Sequence, residues 1–406
     1  MRLLIVSSPK FPVPATKGGA VQNLIEEIIA QNEKERKIEA FCCSIYDEEA
    51  EKCSKKYKGT DFIWCKVPKI ISVIDKKVYF VLKHLLRIKR LVSLSFLFQM
   101  VWYSYFVAKV LKRGSFDRVI FENSIPVMLS MNLYRNRRKY KDRYFLHMHS
   151  VPRKYYGTKK IISESAGLIC ISDYVANEMT KGGQLKIEKN KIYIMYNCLN
   201  TDVFKPIVYD EAKEIRKLYN IPENKKIVLF AGRLCPEKGI AELLQMVQKL
   251  DREDVVLLVV GSNFYKSQII SPYEEYLKQL CDPVKNKVIF TGYIDYENMP
   301  KYYAAADCVT LPSMWEEPAG MTIIEAMACG KPVITTYSGG IPEYVGEGNC
   351  IVLERDNIIE KLAKNVGAIL DNEEEAQTLS KKAEIRASRY NQEFYYSQLL
   401  SILGIE

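Results

Sequence analysis

Apolar residues in this 406-residue chain recur in two registers. Short, nearly continuous apolar runs read as buried strands, and stretches with apolar positions three and four apart read as helices. In the first half the strand-like runs are Arg2–Ser7, Ile38–Ile45, Arg118–Glu122, Tyr144–His149, Leu168–Ser172 and Ile192–Tyr196. In the second half they are Lys226–Ala231, Val255–Val260, Lys287–Thr291, Cys308–Leu311, Pro332–Thr335 and Cys350–Leu353. Helical patterns lie between most of them, among them Val21–Gln31, Ile240–Leu250, Glu274–Leu280 and Met321–Ala328. Alternation of this kind predicts α/β architecture, with parallel sheets covered by helices on both faces. The series is too long for one sheet. It divides near Asn197–Pro206, where an apolar run gives way to a polar stretch and a proline. Length independently favours two domains.

One segment departs from the alternation. Leu91–Ala108 is an uncharged run of 18 residues, the lower limit for a membrane-spanning helix. Ser93, Ser95, Gln99 and Ser104 interrupt it, and Trp102 and Tyr103 sit inside it rather than at its ends. A buried core helix and a surface that leans on a membrane are the other readings. Residues 51–113 hold 15 Lys/Arg against Glu51, Asp61 and Asp75, the most basic window of the chain.

Charge is asymmetric on the larger scale too. Residues 1–200 carry 36 Lys/Arg and 18 Asp/Glu, whereas the remainder carries 23 and 31. The first half is therefore expected to meet something anionic. An anionic membrane surface through segment 51–113 is the preferred partner. A nucleic acid is not, because the window lacks any recognisable DNA or RNA module. Eleven scattered cysteines without a C-x-x-C pair read as reduced thiols. Three histidines without ligand spacing to a cysteine pair give no zinc signature. Met1–Val6 runs into a polar loop and lacks the long apolar stretch of a signal peptide. The expected location is the cytoplasm.

Four constellations carry chemistry. In Pro312–Gly340, Pro318, Ala319 and Gly320 precede an apolar-periodic helix, so the open N–H groups of Ala319, Gly320, Met321 and Thr322 offer an anion site. Glu317 lies just before that helix and Glu325 in its second turn, which lets the two carboxylates address different parts of one ligand. A solvated, capped amphipathic helix is the plainer alternative. In Phe230–Gly239, Arg233 and Lys238 follow a strand and precede a helix, a pair of cations suited to a diphosphate. Gly18 and Gly19, after the first strand, permit close backbone approach to a ligand. His147 and His149 share one face of the strand Tyr144–His149, and His149 stands at its carboxyl edge, where α/β folds bind ligands. Asp-x-Asp, the P-loop pattern and G-x-S-x-G are all missing, so a metal-bound diphosphate, P-loop chemistry and a serine nucleophile find no support.

Glu317-Pro-Ala-Gly-Met-Thr-Ile-Ile-Glu325 is an E-x7-E motif, continued by AMACGKPVI and GGIPE. With AGRLCPEKG, VIFTGYI at Val288–Ile294, PS-x-W-E at Pro312–Glu316 and a degenerate N-G-V-D-x-x-x-F at Asn197–Phe204, it resembles glycosyltransferase family 4, the retaining transferases of GT-B architecture. The resemblance implies two Rossmann-like domains whose parallel sheets face an interdomain cleft. Residues 1–203 would form the acceptor-side domain, 204–387 the nucleotide-sugar domain, and a C-terminal helix within about 388–406 would cross back to the first.

It also implies roles. Glu325 would accept from ribose hydroxyls, Glu317 would hold donor-sugar hydroxyls, and Arg233 and Lys238 would steady the diphosphate. Gly18 and Gly19 would approach the phosphate, and His149 the sugar. Gly292, Tyr293 and the backbone of Ala319, Gly320, Met321 and Thr322 would complete donor binding. No metal or cofactor is implied; the nucleotide sugar is a co-substrate, UDP first and GDP second. The acceptor would be a glycan or lipid-linked intermediate, and the enzyme would sit peripherally at the inner face of the cell membrane. Ala319 stands where many members carry Phe, and Cys198 where they carry Gly. A nucleotide-sugar epimerase of the same architecture is the nearest rival reading.

Overall fold

The computed structural model describes residues 1–84, 96–207, 209–261 and 272–405, and it divides into two compact units. Unit 1 comprises Met1–Tyr196 and Gln392–Glu406; unit 2 comprises Asn197–Asn391. Residues 85–95, and with them the first part of the predicted run Leu91–Ala108, lie outside the described residues.

Unit 1 holds seven parallel strands: β1 (Arg2–Val6), β2 (Glu39–Ile45), β3 (Thr60–Cys65), β4 (Arg118–Glu122), β5 (Tyr144–Met148), β6 (Gly167–Cys170) and β7 (Ile192–Ile194). Their order is β3-β2-β1-β4-β5-β6-β7. Leu3–Val6 are wholly buried, as expected of a central strand covered on both faces. Helix Ala20–Glu35 follows β1 and buries Leu24, Ile25, Ile28 and Ile29, one stripe at helical spacing. The C-terminal helix Gln392–Leu403 belongs to this unit: Tyr396 Oη donates to Asn32 Oδ1 at 2.6 Å, and Gln398 bonds both the N–H and the carbonyl of Tyr196.

Unit 2 holds six parallel strands: β8 (Lys226–Ala231), β9 (Val255–Val260), β10 (Val288–Gly292), β11 (Cys308–Leu311), β12 (Val333–Thr336) and β13 (Ile351–Leu353), in the order β10-β9-β8-β11-β12-β13. All six residues of β9 are buried. In both sheets the chain winds outward from one strand (β1, β8) and then resumes on that strand's other side (β4, β11). The carboxyl ends at such a switch point form the crevice in which doubly wound folds bind ligands.

The unit boundaries differ from those expected at 203/204 and 387/388. Asn197 N donates to Tyr344 Oη at 2.9 Å and Leu199 N to Tyr390 O at 2.7 Å, so residues 197–203 pack with unit 2. Tyr390 Oη donates in turn to the Tyr344 carbonyl at 2.9 Å, which keeps 388–391 there.

Helix Leu97–Arg113 has one buried and one exposed face. Tyr103, Val107, Ala108 and Leu111 are buried, while Phe98, Val101 and Tyr105 are exposed. No helix among the described residues is long and apolar enough to cross a membrane. All eleven cysteines are free thiols.

Candidate active site

The site in unit 2 is built around the carboxyl end of β8. Gly232 and Arg233 follow directly, and the Gly232 N–H donates back to the Val260 carbonyl at 3.0 Å. Gly261 lies beside them at φ 137°, and a Cβ there would run into the Gly232 carbonyl oxygen. Two backbones therefore approach as only glycine allows, which keeps the space beyond them open. That space is a cavity of about 360 Å³ lined by Arg233, Tyr293, Tyr296, Met299, Thr322 and Glu325, among others.

Glu325 comes from helix Met321–Ala328, which starts after Gly320 at φ 77°. Its carboxyl is 7% exposed and accepts from Tyr303 Oη at 3.0 Å. Burial pushes it up to about 7, against the pull of the Tyr303 hydrogen bond and the nearby Lys238 charge.

A much smaller cavity adjoins the first, sharing Ala231 and Thr322, and is lined by Lys238, Ser313, Glu317 and Gly320. Lys238 ends a 3-10 turn, Pro236–Lys238, and donates to Glu317 Oε2 at 2.7 Å. Ser313 Oγ (3.1 Å) and Trp315 Nε1 (2.8 Å) donate to the same oxygen. The Gly340 N–H holds the Glu317 carbonyl at 2.8 Å, which fixes the loop. The two acids of the E-x7-E motif thus face two adjoining spaces, one beside each cation. Lys238, expected on a diphosphate, is paired with Glu317.

Ala319 is buried and Met321 half-buried, and neither lines these cavities. Gly292 ends β10 at φ 76° and accepts from the Gly261 N–H at 2.9 Å, so it shapes the cavity wall rather than lining it. Tyr303, Ser313 and Trp315 received no role in the sequence reading. The last two stand within the quoted PS-x-W-E pattern, whereas nothing about Tyr303 in the sequence marks it.

Unit 1 carries the other predicted residues at the carboxyl edge of its sheet. Gly18 and Gly19, at φ 71° and 113°, lie in the loop between β1 and helix Ala20–Glu35. His147 Nδ1 and His149 Nε2 both bond Glu122, at 3.1–3.2 Å, and all three side chains are nearly inaccessible. Burial pushes the Glu122 carboxyl up, but the two imidazoles outweigh it and hold the group at about 2. Burial pushes His149 down to about 4. An ionised Glu122 makes the two nitrogens that face it, His147 Nδ1 and His149 Nε2, donors. His149 Nδ1 is then an acceptor, and both it and His147 Nε2 are buried with no partner. The ligand atoms of these three residues lie within 4.8 Å of one another, so the same donor set could hold a metal ion. Sequence spacing did not reveal it because Glu122 comes from a neighbouring strand; its signal was a carboxylate ending an apolar run.

The chain is similar to known proteins in sequence and in fold. The family model described as glycosyl transferases group 1 matches residues 211–386, the bulk of unit 2. A second model, the Baculovirus LEF-11 protein, matches residues 16–114. The spore coat protein SA of Bacillus subtilis is 25% identical over 99% of both chains. The lipopolysaccharide 1,2-N-acetylglucosaminetransferase of Salmonella typhimurium is 32% identical over 44% of this chain and 48% of its own length. Among solved structures, Anabaena HepE in complex with UDP superposes over the full length of both chains with a TM-score of 0.74 at 18% identity, and it has also been solved with UDP-glucose. Two parallel-sheet α/β units of seven and six strands are the GT-B fold. Residues 211–386 are a glycosyl transferases group 1 domain.

Proposed function

We propose that this protein transfers a sugar, with retention, from a nucleoside diphosphate donor to a glycan or lipid-linked acceptor, UDP-sugar being the first candidate donor and GDP-sugar the second. The observation that carries the reading is that Glu325 and Arg233 line one cavity and the Glu317–Lys238 ion pair lines the next. HepE, solved with UDP and UDP-glucose, supports the choice of base.

In this reading Glu325 accepts from the ribose hydroxyls and Tyr293 helps wall the nucleoside. The diphosphate meets Arg233, Lys238 and the N–H groups opening helix Met321–Ala328. Departure of the nucleotide builds negative charge on the outer phosphate, and cations already aimed at it lower that barrier. Glu317 exchanges donors within the protein for hydroxyls of the sugar. Gly18, Gly19 and His149 of unit 1 are assigned to the phosphate and sugar by resemblance. The protein's own cations supply the countercharge, so turnover needs no added metal. The basic window 51–113 supports a peripheral location at the inner face of the cell membrane.

Thermal-shift screening against UDP, GDP, ADP and their sugar conjugates identifies the donor. Lys238→Ala and Glu325→Ala should each lower kcat/KM for it by about tenfold or more, with turnover persisting in EDTA. Wild-type kinetics in both variants would overturn the assignment. Conversion of the nucleotide sugar without any acceptor would point to an epimerase instead.

A further inference from the structure

Large apolar side chains are exposed unevenly. Of the 22 such residues among those described, 14 fall between Ile70 and Tyr156 of unit 1. Several of them line one open groove of about 710 Å³, within the size range of ligand pockets, with Leu97, Phe98, Val101, Leu129, Leu133 and Tyr156 in its wall. Contiguous apolar surface of this kind marks an interaction site.

Charge selects the partner. Helix Leu97–Arg113 contains no acid and ends in Lys109, Lys112 and Arg113. On helix Lys69–His84, Lys69, Lys76 and Lys77 are exposed, whereas Asp75 is buried. Its two oxygens accept the N–H groups of Phe98 and Gln99 at 2.9 and 3.0 Å, so its charge is spent on capping the next helix. Beyond the groove, Arg135, Arg138, Lys139 and Lys141 are exposed as well.

The rim combines these cations with aromatic rings. Lys109 Nζ stands 4.5 Å from the Tyr105 ring and Lys112 Nζ 4.7 Å from the Tyr134 ring, and the two rings are 6.4 Å apart. Trp102 lies 6.5 Å from Tyr105. Amphipathic aromatics and long-stemmed cations around an apolar patch are the composition of a membrane–water interface. A second copy of the chain would set these cations against one another.

We infer that the groove between helix Leu97–Arg113 and the 3-10 segment Ile125–Asn132, with Ile71 of helix Lys69–His84 at its edge, takes up hydrocarbon from a bilayer of anionic phospholipid, with the Tyr105/Tyr134/Lys109/Lys112 rim at the headgroups. This rests on the peripheral location proposed above and deepens it: attachment is by apolar insertion at a defined groove as well as by diffuse charge.

The test uses the full chain and two vesicle preparations, phosphatidylcholine alone and phosphatidylcholine with phosphatidylglycerol. The mixed vesicles should recover at least about tenfold more protein by flotation, from several cations each contributing roughly a kcal/mol near an anionic surface. Brominated acyl chains should quench emission that Trp102→Phe removes. Val101→Glu with Leu133→Glu alters two exposed side chains, 60% and 42% accessible, and should abolish both flotation and quenching. Its UDP-induced thermal shift should match the wild type. Equal flotation of variant and wild type, or no Trp102 quenching, overturns the inference. So does a concentration-dependent dimer that the double variant dissolves in the absence of vesicle binding. Loss of the UDP shift in the wild type would instead count against the donor reading and leave the vesicle result standing on its own.

Discussion

Glu325 is a carboxyl whose environment brings its titration close to neutrality. Burial raises it to about 7 while Tyr303 and Lys238 pull it down. Raised above its unfolded value, the group contributes stability below about pH 4.5 that is lost as pH rises through about 7, on the order of a few kcal/mol. Binding runs the other way if the ionised form accepts ribose hydroxyls. Affinity for UDP should then fall on acidification through about pH 7, and Glu325→Gln should bind more weakly with a flat profile. A parallel pH dependence in wild type and variant, by calorimetric titration, would remove Glu325 from the nucleoside. Glu122 makes a separate claim. Glu122→Gln presents an amide N–H₂ to one of the two rings and forces it into the other tautomer. If His149 meets substrate through Nδ1, kcat should drop by about tenfold or more, with donor KM little changed and the circular dichroism intact. An unchanged kcat would leave the cluster with a packing role.

At the scale of elements, strands buried on both faces were the easiest to read. Val255–Val260 and Cys308–Leu311 coincide with the runs in the sequence, because a central parallel strand must be apolar throughout. Strand Thr60–Cys65 was missed. It lies at the sheet edge, only Thr60 and Cys65 are fully buried, and Asp61 breaks the apolar run. Helix Met321–Ala328 was legible to its ends because Gly320 and Gly330 bound it, both at positive φ. The pairings within the site were not legible. Lys238 and Glu317 are 79 positions apart, as Glu122 is 25 and 27 from its histidines, and only the sheet order brings such partners together. The chemistry of the E-x7-E motif could be inferred from its residue types; that its two acids face separate spaces required the backbone around Gly261 and Gly320.

At the scale of the molecule, the chain does not divide into consecutive halves. Unit 1 is completed by residues that follow all of unit 2. Helix Gln392–Leu403 buries Tyr395, Tyr396, Leu399, Leu400 and Leu403 in unit 1, each 5% exposed or less. Burial of one large apolar side chain is worth roughly 1.5–3 kcal/mol, so five of them rival the ~5–15 kcal/mol by which a whole domain is stable. Asn32 would lose its Tyr396 partner as well, at a position 1% exposed. Deleting residues 392–406 should therefore unfold unit 1 and spare unit 2, whose Tyr344–Tyr390 contacts end before the cut. Calorimetry of the truncated chain should show one transition, raised by UDP, with new binding of a hydrophobic dye. Two transitions within about 2 °C of the full-length values would mean that the returning helix is dispensable, and that the first 196 residues already hold a complete core.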